Sequence, residues 1–198
     1  MVRKEKLEEL KSYIEELKTV KVEPLSTSPK FLTIEPAIYH LNNGKMMTRE
    51  LLKKQQKDGS AAIILPVTKN GETVLVVEPR LGSTKTVAVG LPAGYIEYGE
   101  EPLRAAKREL EEETGYVCND YQLLAKYYQD PGISRAYNYA YLGMGAEKQK
   151  QQSLDPEEFV RFLECRYEEA LELVELGYIE DLQAQLALER AKQYLLKR

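Results

Sequence analysis

The chain has 198 residues, the length of one domain with a small extension. Its 43% hydrophobic and 30% charged residues are typical of a folded globular protein and exclude a disordered or collagen-like chain. The net charge of −4 equals the balance of residues 97–113 alone, where seven acids face three bases, so the acidity is local.

The remaining composition narrows the class of protein further. No apolar run approaches the roughly 20 residues of a membrane span, and the N-terminus lacks the apolar stretch of a signal peptide, so we expect a cytoplasmic protein with no membrane partner. An acidic pI near 5.4 without a basic patch argues against a nucleic-acid partner. Cys118, Cys165 and the single His40 are too few for a Cys/His zinc cluster, and two buried reduced thiols are favoured over one disulfide.

The first part of the chain predicts a helix followed by extended segments. Apolar residues at intervals of three and four predict a helix over 3–20, which packs either on its own domain or on a second copy. Prolines and serines in 24–29 indicate a linker. Residues 31–41 are predicted to be extended, followed by an Asn-Asn-Gly turn, and 45–57 to be a strand that turns into a loop. We therefore divide the chain into an N-terminal extension, 1–57, and a main domain, 58–198.

From Ser60 onward the patterns alternate between strand and helix. Residues 60–68 and 72–80 are nearly continuous apolar runs, as in buried strands, and Asn70-Gly71 between them predicts a type I′ hairpin turn. Further strands are predicted over 122–129, 136–143 and 159–165, and helices over 167–176 and 180–197. The class is therefore α/β with a mixed sheet.

Residues 102–114 predict a helix with a crowded acidic face. Pro102 suits its first turn and Gly115 its C-terminal cap. Leu103, Ala106 and Leu110 share one face of this helix and are expected to be buried. Glu109, Glu112 and Glu113 lie on an adjacent face, where they repel one another unless a cation compensates. Such hard oxygen ligands point to Mg²⁺ or Mn²⁺, while a merely solvated acidic face is the alternative.

The stretch from Gly90 to Tyr116 resembles the Nudix box, G-x5-E-x7-R-E-U-x-E-E-x-G-U, in which U is a bulky apolar residue. The positions that match at the required spacing are Gly94, Glu100, Arg108, Glu109, Leu110, Glu112, Glu113 and Gly115. Only the last apolar position departs mildly, because it is Tyr116. Seven fixed residue types at fixed spacing match by chance on the order of once in 10⁶ such chains, so the signal is strong.

The resemblance implies a fold, a chemistry and a set of ligands. Nudix hydrolases fold as an α/β/α sandwich around a mixed sheet, and most hydrolyse a nucleoside diphosphate linked to another moiety with a divalent metal. By this similarity Glu109, Glu112, Glu113 and the Ala93 carbonyl would bind Mg²⁺. Arg108 and Glu100 would orient the cluster, and Gly94 would let the backbone pass close to the metal.

Features outside the box resemble ADP-ribose pyrophosphatases and related nucleoside-diphosphate-sugar hydrolases. Pro131 lies 16 residues after Gly115, where this subgroup carries proline, and Arg80 ends a strand where its arginine could bind a substrate phosphate. The resemblance also implies that the N-terminal extension forms a homodimer and contributes to the nucleotide pocket. Two departures concern the substrate, because Gly90 and Ala136 stand where the subgroup usually has glutamates.

The subgroup takes its general base from a late loop. Glu157 and Glu158 are therefore the candidates, with Glu112 as the alternative. The function expected from the sequence is Mg²⁺-dependent hydrolysis of ADP-ribose or a similar nucleoside diphosphate sugar to a nucleoside monophosphate and a sugar phosphate. The alternatives are hydrolysis of another nucleotide (a dinucleoside polyphosphate, NADH or a nucleoside triphosphate), a non-catalytic Nudix sensor, and a separate interaction module in residues 1–55.

Overall fold

A computed structural model describes residues 1–23, 31–54, 59–83 and 85–196. The elements in chain order are α1 (Lys4–Leu17), β1 (Leu32–His40), β2 (Met46–Lys54), β3 (Ala61–Thr68), β4 (Glu72–Pro79), β5 (Val87–Gly90), β6 (Ala93–Tyr95), α2 (Pro102–Thr114), β7 (Tyr116–Val117), β8 (Asp120–Tyr128), β9 (Tyr137–Lys148), β10 (Arg161–Arg166), α3 (Tyr167–Glu175) and α4 (Leu182–Leu195). The predicted linker 24–29 lies outside the described residues. The last three residues of segment 45–57, where the strand is predicted to turn into a loop, also lie outside them.

The main sheet is mixed. Its strands follow the order β10-β4-β3-β9-β7, with β5 beside β4, β6 beside β3 and β8 beside β9. Among the strands that the structure describes, β3 and β9 pair in parallel, and the other pairs of this sheet are antiparallel. The central strands β3 and β4 are buried along nearly their whole length, as their continuous apolar runs require. The predicted α/β class is confirmed.

Helices cover both faces of this sheet. On one face α2 buries Ala105, Ala106 and Leu110 against alternate residues of β3, β4 and β9, while the predicted Leu103 is only partly buried. On the other face α1, α3 and α4 enclose a larger core that contains Leu10, Leu173 and Leu188. The result is the α/β/α sandwich expected from the resemblance.

Helix α1 lies on its own domain. It ends at Leu17, three residues earlier than predicted, and its Leu10 is fully buried in the core that α3 and α4 share. Arg3, just before the helix, donates hydrogen bonds to Glu169 of α3 and Glu72 of β4. The sequence allowed this helix to pack either on its own domain or on a second copy, and in the structure it packs on its own domain.

Strands β1 and β2 form a separate antiparallel ribbon. It pairs from Leu32 opposite Lys54 to His40 opposite Met46, and Leu52 N–H donates to the Ile133 carbonyl at 2.7 Å. The ribbon therefore touches the main domain at the turn that contains Pro131. Its exposed large apolar side chains are Phe31, Leu32, Ile34, Ile38, Leu41 and Met46.

The turn between β3 and β4 is not type I′, contrary to the prediction. Gly71 N–H donates to the Thr68 carbonyl at 3.0 Å, and of the turn residues only Gly71 takes a positive φ, of 79°. A type I′ turn needs positive φ at both central residues, whereas here the left-handed residue follows the turn. The glycine is still required, one position later than a type I′ turn would need it.

Other boundaries differ at element ends. Strand β9 runs to Lys148, five residues beyond its predicted end, and the short strands β5, β6 and β7 were not predicted, because two to four residues carry no periodic signal. Cys118 and Cys165 are both buried free thiols, as predicted. Among the described residues, no helix combines the length and apolarity needed to cross a membrane.

The attachment of α1 predicts a pH-dependent stability. Burial alone raises the pKa of Glu169, but hydrogen bonds from Arg3 and from the Arg166 N–H outweigh it and lower the pKa from 4.5 to about 2. A depressed acid pKa stabilises the fold above the unfolded value, and that contribution is lost as pH falls through the folded value. We expect Glu169→Gln to lower the free energy of unfolding by about 2 kcal/mol at neutral pH, since it removes a charge-assisted hydrogen bond network.

Urea unfolding of wild type and Glu169→Gln at a series of pH values measures this difference. The gap should shrink as pH falls from about 4.5 toward 2, because the wild-type carboxyl becomes neutral over that window. Glu16→Gln is the matched control, since Glu16 also joins α1 to the domain, through Arg161, but in an exposed ion pair that contributes little. A gap independent of pH would contradict the assignment.

Candidate active site

The acidic face of α2 is built by its caps and by β6. Pro102 occupies the first turn, and Gly115 closes the helix with φ of 77°, its N–H donating to the Glu111 carbonyl at 2.8 Å. Both predicted caps are therefore confirmed. The short strand β6 pairs with β3 and brings Ala93 and Gly94 against the carboxylates of the helix.

Arg108 is the centre of a charged network. Its Nε and Nη2 donate to the two carboxylate oxygens of Glu100 at 3.1 and 3.0 Å, and Nη2 also donates to the Tyr95 carbonyl at 3.1 Å. Its Nη1 donates to Glu109 at 2.7 Å and to Glu112 at 3.1 Å. The bond to Arg108 lowers the pKa of Glu100, which stays ionised, and the same bond raises the pKa of Arg108. The sequence-predicted orienting pair is therefore in contact.

Glu113 is the most buried carboxyl of the helix, with 6% of the residue exposed. Its Oε2 accepts a hydrogen bond from the Ala93 N–H at 3.2 Å. Burial raises its pKa well above 4.5, and the charges of Glu78, Glu109 and Glu158 add to the increase, which the Ala93 N–H only partly offsets. A cation beside Glu113 would relieve both effects, because it compensates the desolvated and crowded negative charge.

Glu109 lies against the backbone of Gly94. A β-carbon at residue 94 would overlap the carboxylate of Glu109, so only glycine leaves this carboxylate in place. Burial raises the pKa of Glu109, Arg108 lowers it, and Glu112 and Glu158 raise it again. The glycine expected from the resemblance is thus required here for space, while its φ is ordinary.

We expect Gly94→Ala to lower kcat by about 10- to 100-fold with little loss of stability, in the range seen when groups that orient metal ligands are removed. The added methyl group meets the flexible end of Glu109 rather than fixed backbone, so the carboxylate moves aside and the fold tolerates the change. Steady-state hydrolysis and thermal unfolding of the same preparation separate the two effects. Gly82→Ala, where the new methyl group meets open space, is the matched control, and equal activity of both variants would contradict the placement of Glu109.

The donor set fits a hard divalent cation. Carboxylate oxygens are the ligands that Mg²⁺ and Mn²⁺ prefer. Because residue 94 has no side chain, there is room beside its backbone for the carboxylate of Glu109. Within the described ranges, no three Asp, Glu, His or Cys side chains stand close enough together to hold a metal ion as they are oriented. The reason is visible in the network, because Arg108 draws Glu109 and Glu112 toward itself while Glu113 turns to the Ala93 N–H. Metal binding would require these side chains to change rotamer.

A late loop, residues 149–160, carries both predicted loop bases, Glu157 and Glu158. Burial is the main cause of the raised pKa values of Glu109, Glu113 and Glu78, and the charge of Glu158 adds a smaller increase to each. The loop holds Glu158 in a turn, where its N–H donates to the Asp155 carbonyl at 2.9 Å. Both loop bases stay predictions, and these contributions favour Glu158.

Two further acidic residues, Glu78 and Asp181, were not predicted from the sequence to belong to the site. Glu78, at the end of β4, pairs with Arg80 at 2.8 Å. Burial raises the pKa of Glu78, Arg80 lowers it, and Asp181 and Glu158 raise it. Asp181 caps α4 by accepting from the Ala184 N–H at 2.8 Å. Glu78 could have been noticed in the sequence, because it is an acidic residue in a mostly apolar strand. The position of Asp181 depends on tertiary packing and could not.

The other predicted substrate residues are more scattered. Arg80 forms an ion pair with Glu78, and its own side chain is 57% exposed. Pro131 lies in the turn that contacts the β1–β2 ribbon. Ala136 is fully buried, and the Asp181 carboxylate lies 3.9 Å from where a side chain at Gly90 would begin. An acidic group thus stands close to the position at which the resemblance had led us to expect a glutamate.

Comparisons with known proteins agree with the box. The family model for the NUDIX domain matches residues 57–185. An ADP-ribose pyrophosphatase of Bacillus subtilis (strain 168) is 35% identical over 75% of this chain and 78% of its own length. A methanol dehydrogenase activator of Bacillus methanolicus is 31% identical over 88% of this chain and 91% of its own.

The fold has a solved counterpart as well. A crystal structure of an ADP compounds hydrolase superposes with a TM-score of 0.71 over 91% of this chain and 95% of that one, at 23% identity. At this level of identity the likeness concerns the fold. Together with the family model and the two relatives, it leads to one conclusion. The chain belongs to the NUDIX domain family and is a Nudix hydrolase.

Proposed function

We propose that this hydrolase cleaves the diphosphate of ADP-ribose or a related nucleoside diphosphate sugar into a nucleoside monophosphate and a sugar phosphate. The observation that carries the proposal is the packing of two carboxylates of α2 against β6, Glu109 against the Gly94 backbone and Glu113 on the Ala93 N–H. The names of two relatives, ADP-ribose pyrophosphatase and the ADP-sugar pyrophosphatase of Mus musculus, which is 36% identical over 57% of this chain, support the substrate class.

The reaction depends on a divalent cation, Mg²⁺ or, as a substitute, Mn²⁺. Glu109, Glu112, Glu113 and the Ala93 carbonyl would hold it, since they provide hard oxygen ligands on one face of α2 and on β6. A bound Mg²⁺ would supply charge neutralisation at the diphosphate and activation of the attacking water. Arg108 would keep Glu100, with which it makes two hydrogen bonds, when Glu109 and Glu112 turn to the cation.

The side chains of this chain divide the remaining work. Glu158 accepts a proton from the attacking water, the water oxygen forms a bond to one phosphorus, and the bond from that phosphorus to the bridging oxygen breaks. The bridging oxygen leaves with the other phosphate. The guanidinium of Arg80, held by Glu78 at 2.8 Å, binds a phosphate oxygen of the substrate.

The N-terminal extension completes the site in a homodimer. The β1–β2 ribbon exposes an apolar surface and touches the Pro131 turn, so a second copy packed on the ribbon would cover that surface and adjoin the pocket. The division of the chain between residues 57 and 58 is part of this proposal, supported by a family match that begins at residue 57. Light scattering of the full chain measures the oligomeric state, and a monomer at micromolar concentration would contradict the dimer.

Release of nucleoside monophosphate from a substrate panel tests the function. The panel contains ADP-ribose, ADP- and GDP-sugars, NADH, dinucleoside polyphosphates and nucleoside triphosphates, each with Mg²⁺, with Mn²⁺ and with EDTA. We expect ADP-ribose or an ADP-sugar to give the highest kcat/KM, with no turnover in EDTA. Preference for a triphosphate or a dinucleoside polyphosphate would contradict the proposed substrate class but not the proposed metal-dependent hydrolysis. Tight binding without turnover of any member would indicate a sensor.

One comparison favours a second role. The methanol dehydrogenase activator aligns with 88% of this chain, so the likeness extends into the N-terminal extension. We propose as the second candidate that this chain raises the activity of a methanol dehydrogenase. Adding the wild type and Glu113→Gln to a purified methanol dehydrogenase tests it, and an unchanged rate with both would exclude the role.

A further inference from the structure

The side chain of Gln152 helps to fasten the loop that carries Glu158 to the end of α2. The Gln152 amide nitrogen, Nε2, donates hydrogen bonds to the Glu113 carbonyl at 2.5 Å and to the Val160 carbonyl at 3.1 Å. Next to it, Ser153 N–H donates to the Glu112 carbonyl at 2.9 Å. The two α2 carbonyls that receive these bonds belong to two of the glutamates on the acidic face.

These bonds meet a need of the helix. The last carbonyls of a helix have no partner within it and must find one elsewhere. Gln152 is half-buried, and its two donor hydrogens are both used, one on each carbonyl. Because Gln152 and Val160 flank residues 153–159 of the loop, the same amide closes both ends of this segment and ties them to α2.

The clamp fixes Glu158 relative to Glu113. Within the closed segment, the Glu158 carboxylate accepts from the Asp155 N–H at 3.1 Å, and the Glu158 N–H donates back to the Asp155 carbonyl at 2.9 Å. The carboxylate is thus held in a small turn, and Gln152 holds the turn on the helix.

We propose that Gln152 is a positioning residue for the hydrolysis, because it holds the loop that carries Glu158 against the end of α2 that carries Glu112 and Glu113. The inference rests on the proposed function, in which Glu158 accepts the proton of the attacking water. Loss of the clamp lets the loop move, and a displacement of the base by about 1 Å can lower a rate by as much as about 10²-fold.

The experiment compares Gln152→Ala and Gln152→Glu with the matched control Gln151→Ala, in the wild type and in Glu158→Gln. Gln152→Glu keeps the size of the side chain but cannot donate to the two carbonyls, and Gln151 is exposed. We expect both Gln152 variants to lose about 10- to 100-fold in kcat with KM changed by less than about 2-fold. In Glu158→Gln the same substitutions should cost nothing further, since the base they position is gone.

Hydrogen exchange of the full chain provides a readout that does not need activity. The Ser153 amide hydrogen is bonded to the Glu112 carbonyl of α2 and that of Glu158 to the Asp155 carbonyl of the loop, so both should exchange faster in the Gln152 variants and remain protected in Gln151→Ala. Unchanged exchange would overturn the clamp. Faster exchange with an unchanged kcat, or an equal loss in the Glu158→Gln background, would overturn the positioning role. If the wild type hydrolyses nothing in the panel, the proposed function fails, and the positioning role fails with it.

Discussion

Glu113→Gln is expected to lower kcat by about 10³-fold while the protein keeps its fold. Glutamine has the size of glutamate and can still accept the Ala93 N–H, so the packing around residue 113 is preserved. What disappears is one negative charge of the set that would hold Mg²⁺. A metal ion contributes several kcal/mol to catalysis, and each 1.36 kcal/mol corresponds to a factor of ten.

Steady-state hydrolysis at saturating Mg²⁺ measures this loss, and thermal unfolding checks the fold. Glu111→Gln is the matched control, because Glu111 lies on the same helix but pairs with Lys150 away from the cluster. Both substitutions remove one charge from α2, so a general effect of charge would lower both activities. An active Glu113→Gln enzyme would remove Glu113 from the proposed metal ligands.

Glu158→Gln is expected to lower kcat by at least about 10²-fold, the typical contribution of a general base. Glu157→Gln is the direct comparison, since the two glutamates are neighbours and the charge of Glu158 contributes to the raised pKa values of Glu109 and Glu113. Glu112, the remaining alternative, pairs with Arg108 at 3.1 Å.

The pH dependence of kcat distinguishes the three residues. Removal of the base should abolish the acidic limb of the profile, since no carboxylate then has to lose its proton before water can attack. The reverse ranking, with Glu157→Gln inactive and Glu158→Gln active, would assign the base to Glu157. A large loss in Glu112→Gln alone, with the acidic limb removed, would assign it to α2.

The local features of the site could be read from residue spacing. The caps of α2 at Pro102 and Gly115 and the shared face of Glu109, Glu112 and Glu113 depend only on helical geometry and cap preferences. The spacing from Gly94 to Gly115 then led to the family, which the comparisons confirmed. Strands β3 and β4 could also be predicted from the sequence, because continuous apolar runs of that length indicate strands buried on both faces.

Contacts between distant parts of the chain could not be read in this way. Glu157 and Glu158 are equal candidates for the base on sequence spacing, because their distance from α2 depends on how a loop far along the chain, attached through Gln152, packs on that helix. The sequence also left two surfaces on which α1 could pack, its own domain or a second copy. In the structure its Leu10 enters a core shared with α3 and α4, whose residues lie far along the chain. Side-chain periodicity determined which faces these elements bury, since it depends on neighbouring residues alone. Tertiary structure decided which surfaces and charges meet, because those free energies depend on groups that the sequence places far apart.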